Sequence, residues 1–164
     1  MPQIKAFFDD KTSTVTYLVW DPATREAAII DPVLDYEPHA ARLTAASVDA
    51  ILETARDLGL KVVWALDTHA HADHLSATHH IHEVTGARVG IGARITEVQR
   101  VFSSMFHATD VCPDGGAFDA LFKDGETFAL GNLTVRVMHT PGHTPACVTY
   151  VIDDAAFVGD TMFM

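Results

Sequence analysis

Cysteine is nearly missing from this 164-residue sequence: Cys112 and Cys147 are the only two. Two are too few for a disulfide framework, which points to a reducing compartment and a cytoplasmic protein. Cationic residues are scarce as well. Eleven Lys and Arg stand against 22 Asp and Glu, a formal net charge of −11. That balance argues against a nucleic-acid partner, because phosphate backbones are held by clustered Lys and Arg. No apolar run is long enough to cross a bilayer, so no membrane partner is expected. The opening residues 1–14 lack the charged start, apolar stretch and small-residue cleavage site of a secretory leader. Repeats and low-complexity linkers are also lacking, and the length suits one domain over residues 1–164. Histidine, by contrast, is abundant. Of ten, six fall between His69 and His82.

The first thirty residues read as strands: Ile4, Ala6 and Phe8 alternate, and Val15, Tyr17 and Val19 share one face of residues 14–20. After the turn residues Asp21-Pro22, Glu26 to Ile30 forms a third strand ending at Asp31-Pro32. An irregular stretch with Pro38 follows. A helix is predicted from Ser47, with Val48, Ile51, Ala55 and Leu58 at helical spacing and Gly59 as its stop. Lys61 to Leu66 is a short apolar run of the buried-strand kind. Leu75 to Val84 reads as a helix with Ala77, Ile81 and Val84 inward, and Ala87 to Ile91 as a strand. Arg94 to Phe102 reads as a helix with Ile95, Val98 and Val101 or Phe102 inward, and Ala108 to Phe118 as a loop. Two hairpins close the series, Thr127–Leu130 with Leu133–Met138 and Cys147–Ile152 with Ala155–Val158. The alternation gives a layered α/β fold.

The chemistry gathers behind the Lys61–Leu66 strand, in Thr68-His69-Ala70-His71-Ala72-Asp73-His74. Residues two apart on an extended chain point the same way, so His69 and His71 are expected to reach one ion. Asp73 and His74 add a carboxylate and a third imidazole within the same six residues. Neutral imidazole and carboxylate together suit zinc or iron. Two later turns each supply one more donor. Thr140-Pro141-Gly142-His143 follows one strand, and Gly159-Asp160 follows another, at strand ends where α/β folds collect ligands.

His-x-His-x-Asp-His, then Pro-Gly-His, then Gly-Asp, in that order, resembles the metallo-β-lactamase superfamily, whose fold is an αββα sandwich. Within it, Thr16-Tyr17-Leu18, Ile30-Asp31-Pro32, the 68–74 cluster and Thr140-Pro-Gly-His-Thr-Pro with Cys147-Val148-Thr149 resemble the persulfide (sulfur) dioxygenases. The glyoxalase II branch usually carries Trp where Ala72 stands, which makes it the neighbouring branch. The resemblance implies one iron(II) held by His69, His143 and Asp160, with zinc(II) as the alternative metal. It implies oxidation of glutathione persulfide to sulfite, with His71, Asp73 and His74 orienting ligands and water. In two-metal hydrolases of the superfamily those three are themselves metal ligands, and the sequence leaves both roles open.

The runner-up function is a glyoxalase II-like hydrolase of glutathione thiolesters, and a third reading is a catalytically silent metal-binding fragment. The resemblance implies strands, helices and glutathione-holding residues after Asp160, so residues 1–164 are expected to be the metal-binding portion of a sandwich truncated after the Gly-Asp ligand. An unpaired strand edge, an uncovered sheet face, weak metal binding alone and a tendency to form a homo-oligomer are expected with it. His79, His80 and His82 are expected in exposed or capping roles, and Cys147 as a buried inert thiol. Asp31 and Asp67 are placed either as partners of ligating histidines or as ordinary turn residues.

Overall fold

A computed structural model describes residues 1–108 and 112–162. In chain order the N-terminal elements are β1 (Gln3–Asp9), β2 (Thr14–Trp20), β3 (Glu26–Ile30), β4 (Val33–Glu37), β5 (Arg42–Thr44), α1 (Ala46–Asp57) and β6 (Lys61–Leu66). Next come β7 (Leu75–Ser76), α2 (Thr78–Thr85), β8 (Arg88–Gly92), α3 (Ile95–Phe106) and β9 (Ala120–Phe122). The last are β10 (Thr127–Leu130), β11 (Leu133–His139), β12 (Val148–Ile152), β13 (Ala155–Phe157) and a 3₁₀ turn, Gly159–Thr161.

Two sheets face each other. One has six strands in the order β1-β2-β3-β6-β8-β9, parallel from β3 onward, and the other is the meander β10-β11-β12-β13. Between them Val19, Ile30, Trp64 and Leu66 meet Val137, Tyr150 and Ile152. The opposite face of the six-stranded sheet packs Leu18, Ile29 and Ala65 against Val48 and Ile51 of α1 and Ile81 of α2. With each such aliphatic side chain contributing about 1.5–3 kcal/mol on burial, these two layers hold the fold. β3 and β6 therefore read as continuous apolar runs, because both of their faces are covered. A bulge opposite Ala27/Ala28 leaves Val63 unpaired, and it turns Trp64 into the inter-sheet core.

β1 forms as expected, at the edge of its sheet, with Ile4 and Phe8 exposed on it. Several other expectations change. The stretch around Pro38 is bounded by β4 and β5, which join β7 in a small third sheet, so Leu75 begins as strand and α2 starts only at Thr78. Leu58 caps α1 half-exposed, and Val84 of α2 faces solvent. α3 runs four residues further than expected, with Ile95 and Val98 packed on Ile91. Val101 and Phe102 are outward instead, at 55% and 48% exposure. Of the loop expected over 108–118, residues 109–111 lie outside the described residues. The turn expected at Asp153-Asp154 and both hairpins are present.

The outer face of the four-stranded sheet exposes Thr134, Arg136 and Ala156. Among the described residues no helix is long and apolar enough to cross a membrane.

Candidate metal centre

The parallel strands β3 and β6 end side by side, and Asp31 N–H donates to Leu66 O at 2.8 Å. The chain after Leu66 bends instead of continuing as strand, so His69 and His71 do not stand in extended register. Their rings lie 4.1 Å apart, yet their nitrogens reach different partners. Val148 N–H donates to Thr68 O at 2.9 Å and Tyr150 Oη–H to Asp67 O at 2.9 Å, which anchors the bend to β12.

His69 is buried at 1% exposure. Its Nε2 lies 3.8 Å from Asp160 Oδ2, and His143 Nε2 lies 3.6 Å from the same oxygen. One donor atom from each of His69, His143 and Asp160 falls within 4.8 Å of the others. His143 sits on a turn closed by Thr140 N–H to Cys147 O at 3.0 Å and by Thr144 N–H to Cys147 Sγ at 3.2 Å. Cys147 is thus buried, as expected, and is also the brace of this turn. Thr140 Oγ1 links to Thr161 Oγ1 at 3.0 Å, tying the turns that carry His143 and Asp160.

Asp31 is the hub. It accepts from Thr68 N–H at 2.7 Å and from Thr68 Oγ1–H at 2.9 Å, and it contacts His71 Nε2 at 3.2 Å. Thr68 Oγ1 has one proton, directed to Asp31, so it accepts from His69 Nδ1–H at 2.9 Å. His69 Nε2 is then the unprotonated nitrogen, aimed at His143 and Asp160. Asp67 accepts from Ser76 Oγ at 2.8 Å, and burial raises its pKa to about 7.

A second group lies beside the first. His71, Asp73 and His74 offer donors within 4.8 Å, and Asp31, Asp67 and His71 form another such set. His74 Nδ1 lies 3.4 Å from Asp73 Oδ2 and 3.3 Å from Thr14 Oγ1. Burial, with the charge of His71, lowers the pKa of His74. For His71, burial is outweighed by the Asp31 hydrogen bond and the charges of Asp31 and Asp67, and its pKa rises.

The residues fit a metal ion. His69 Nε2 and His74 Nε2 are buried without any hydrogen-bond partner, a condition that costs about 1–3 kcal/mol per group unless something else satisfies it. Burial, and then the neighbouring charge of His71, lowers His69 to about 4, which keeps the imidazole in the neutral form that ligates. A sequence model of the metallo-beta-lactamase superfamily matches residues 9–164. The chain belongs to the metallo-beta-lactamase superfamily.

Within this superfamily the chain is 47% identical over 172 residues to a probable metallo-hydrolase of Burkholderia pseudomallei, covering 98% of this chain and 58% of the relative. It is 31% identical over 163 residues to the human mitochondrial persulfide dioxygenase ETHE1, covering 98% of this chain and 53% of that protein. The crystal structure of ETHE1 from Myxococcus xanthus superposes with a TM-score of 0.78 at 30% identity, covering 99% of this chain and 59% of that one. The chain therefore spans a little over half the length of these relatives.

Among the other histidines, His79 is exposed, His80 pairs with Asp49 and His82 reaches Ala87 O. His139 braces the His143 turn through Pro145 O at 2.9 Å. Thr68 and Ser76 have working roles that sequence reasoning missed, since single hydroxyls carry no pattern of their own. Gly159 shows why a glycine precedes the aspartate. Its φ is +50°, and a Cβ there would run into the Thr68 side chain. Gly159→Ala should destabilise the protein by about 1–3 kcal/mol and weaken metal binding, because Asp160 must retreat from His69. Thermal melts and metal titration of that variant test this, and an unchanged affinity would refute it.

Proposed function

We propose that this chain carries the metal centre of a persulfide dioxygenase, with iron(II) held by His69, His143 and Asp160. The observation that carries the reading is the grouping itself. Two imidazoles and one carboxylate converge, while His71 is drawn aside by Asp31. That is the ligand set of non-haem iron oxygenases. When bound there, iron(II) supplies one coordination sphere in which a persulfide sulfur and dioxygen meet. Glutathione persulfide, dioxygen and water then give glutathione, sulfite and two protons.

The chain's own residues prepare that site. Thr68, fixed by Asp31, holds the proton of His69 on Nδ1 and keeps Nε2 free. The braced turn at Cys147 sets His143, and the Thr140–Thr161 link sets Asp160. His69 is itself buried at 1% exposure, which keeps water from its ring.

A second reading is a two-metal hydrolase of glutathione thiolesters, favoured by the adjacent His71, Asp73 and His74 set and by the hydrolase-named relative. An oxygen electrode separates the two, using the protein at its natural length. Oxygen uptake with sulfite release from glutathione persulfide is expected. S-lactoylglutathione hydrolysis at a comparable rate, without oxygen uptake, would reverse the assignment.

A further inference from the structure

The three converging side chains arrive on separate segments: His69 on the bend after β6, His143 on the turn after β11, and Asp160 on the turn after β13. β12 lies between β11 and β13 and pairs with both. Its own residues, Val148 to Ile152, include no His, Cys, Asp or Glu. Three consecutive β12 residues, Val148, Thr149 and Tyr150, nevertheless hold all three ligand-bearing segments, and all three are buried.

Successive side chains on a strand point to opposite faces, and β12 uses both faces. On the inner face Val148 N–H and Tyr150 Oη–H take the carbonyls of Thr68 and Asp67, the two residues before His69. The Tyr150 ring is gripped edge-on by Phe122 and Phe128, each with its centroid 6.3 Å away, so its hydroxyl has a fixed aim. On the other face Thr149 Oγ1 lies 3.1 Å from Thr140 Oγ1, which lies 3.0 Å from Thr161 Oγ1. Thr140 opens the turn that carries His143, and Thr161 follows Asp160. The apolar contacts between the sheets are non-directional and tolerate small slides. Hydrogen bonds are directional, and a metal site needs its ligands held to about half an ångström.

We infer that β12 is the spacer of the metal centre, and that Tyr150 and Thr149 are positioning residues that fix His69, His143 and Asp160 relative to one another. The inference rests on the grouping of those three ligands given above, and it holds whichever ion they take. Tyr150 sets the first ligand from the six-stranded sheet, and Thr149 sets the two that come from the four-stranded sheet. Neither side chain touches the ion. Their effect is to bring the ligands together before the ion arrives, so that binding does not have to order them.

The test uses the natural-length protein, titrated anaerobically with iron(II) and separately with cobalt(II), whose visible bands report ligand geometry. Tyr150→Phe and Thr149→Val should each lower the affinity for both ions about tenfold, the low end of what losing a group behind the ligands costs. Both should also shift the cobalt bands. Thr149→Ser keeps the hydroxyl and should bind like the parent. Asp21→Ala is the control for stability alone. Asp21 Oδ2 accepts from Asn132 N–H at 2.8 Å, a bond that joins the two sheets at the end of β3 away from the centre. That variant should lower the melting temperature by a few degrees and leave ion affinity and bands unchanged. Tyr150→Phe and Thr149→Val variants that melt lower yet bind both ions like the parent would overturn the inference, as would Thr149→Ser binding as weakly as Thr149→Val. A parent that binds neither ion would overturn it together with the ligand grouping. Oxygen uptake keeps the function apart: the expected affinity losses in a protein that takes up no oxygen with glutathione persulfide would leave β12 as the spacer and remove the dioxygenase.

Discussion

Replacing His143 by alanine is expected to lower iron(II) affinity by more than about a hundredfold, beyond the 10- to 100-fold typical of losing a group behind the ligands. His143 supplies one of the converging nitrogens, and nothing else on its turn can replace it. The side chain is 40% exposed and packs in no core cluster, so its removal should change stability by no more than about 0.5 kcal/mol. The metal-free variant should therefore melt like the parent while failing an anaerobic iron titration. Asp73→Ala should keep most of its iron, because Asp73 belongs to the neighbouring group. If His143→Ala retained iron and Asp73→Ala lost it, the centre would have to be redrawn around His71, Asp73 and His74.

Asp31→Asn should be nearly as damaging, although Asp31 lies outside the converging set. Asp31 is buried, with φ +52°, a backbone conformation asparagine tolerates, so the substitution leaves the turn intact. Its effect comes through protons. The new amide N–H replaces the oxygen that accepts from Thr68 Oγ1–H, so the hydroxyl must turn and donate to His69 Nδ1. The proton of His69 is then forced onto Nε2, the atom that must be free. Iron affinity should fall about 10- to 100-fold, and the weakened hold on His71 should cost about 1–3 kcal/mol. Nitrogen chemical shifts of His69 in the metal-free variant report the tautomer directly. A variant with unchanged tautomer and unchanged affinity would remove Asp31 from the account.

Much of this was legible in the sequence where a local pattern and its burial coincide. β3 and β6 could be bounded to the residue because both faces are covered, and the apolar run stops where the cover stops. The donors His69, His71, Asp73, His74, His143 and Asp160 were visible as chemistry in motifs, and the fold brings them into two adjoining groups. β4, β5 and β9 were not visible. They are only three to five residues long, and pairing partners define them more than their own propensities do. α3 shows another limit. Its apolar stripe at helical spacing looks the same whether it faces a core or a cleft, so spacing puts Val101 or Phe102 inward, whereas both are exposed. Asp31 could be named as a candidate, but its role depends on two parallel strands ending together, a contact across 37 residues.

Anomalous X-ray scattering at the iron edge, from crystals of the anaerobically loaded protein, tests the central claim most directly. A single iron peak within bonding distance of His69 Nε2, His143 Nε2 and an Asp160 carboxylate oxygen is the expected result. Two metal peaks, one of them bonded to Asp73 and His74, would contradict it and make this a two-metal centre.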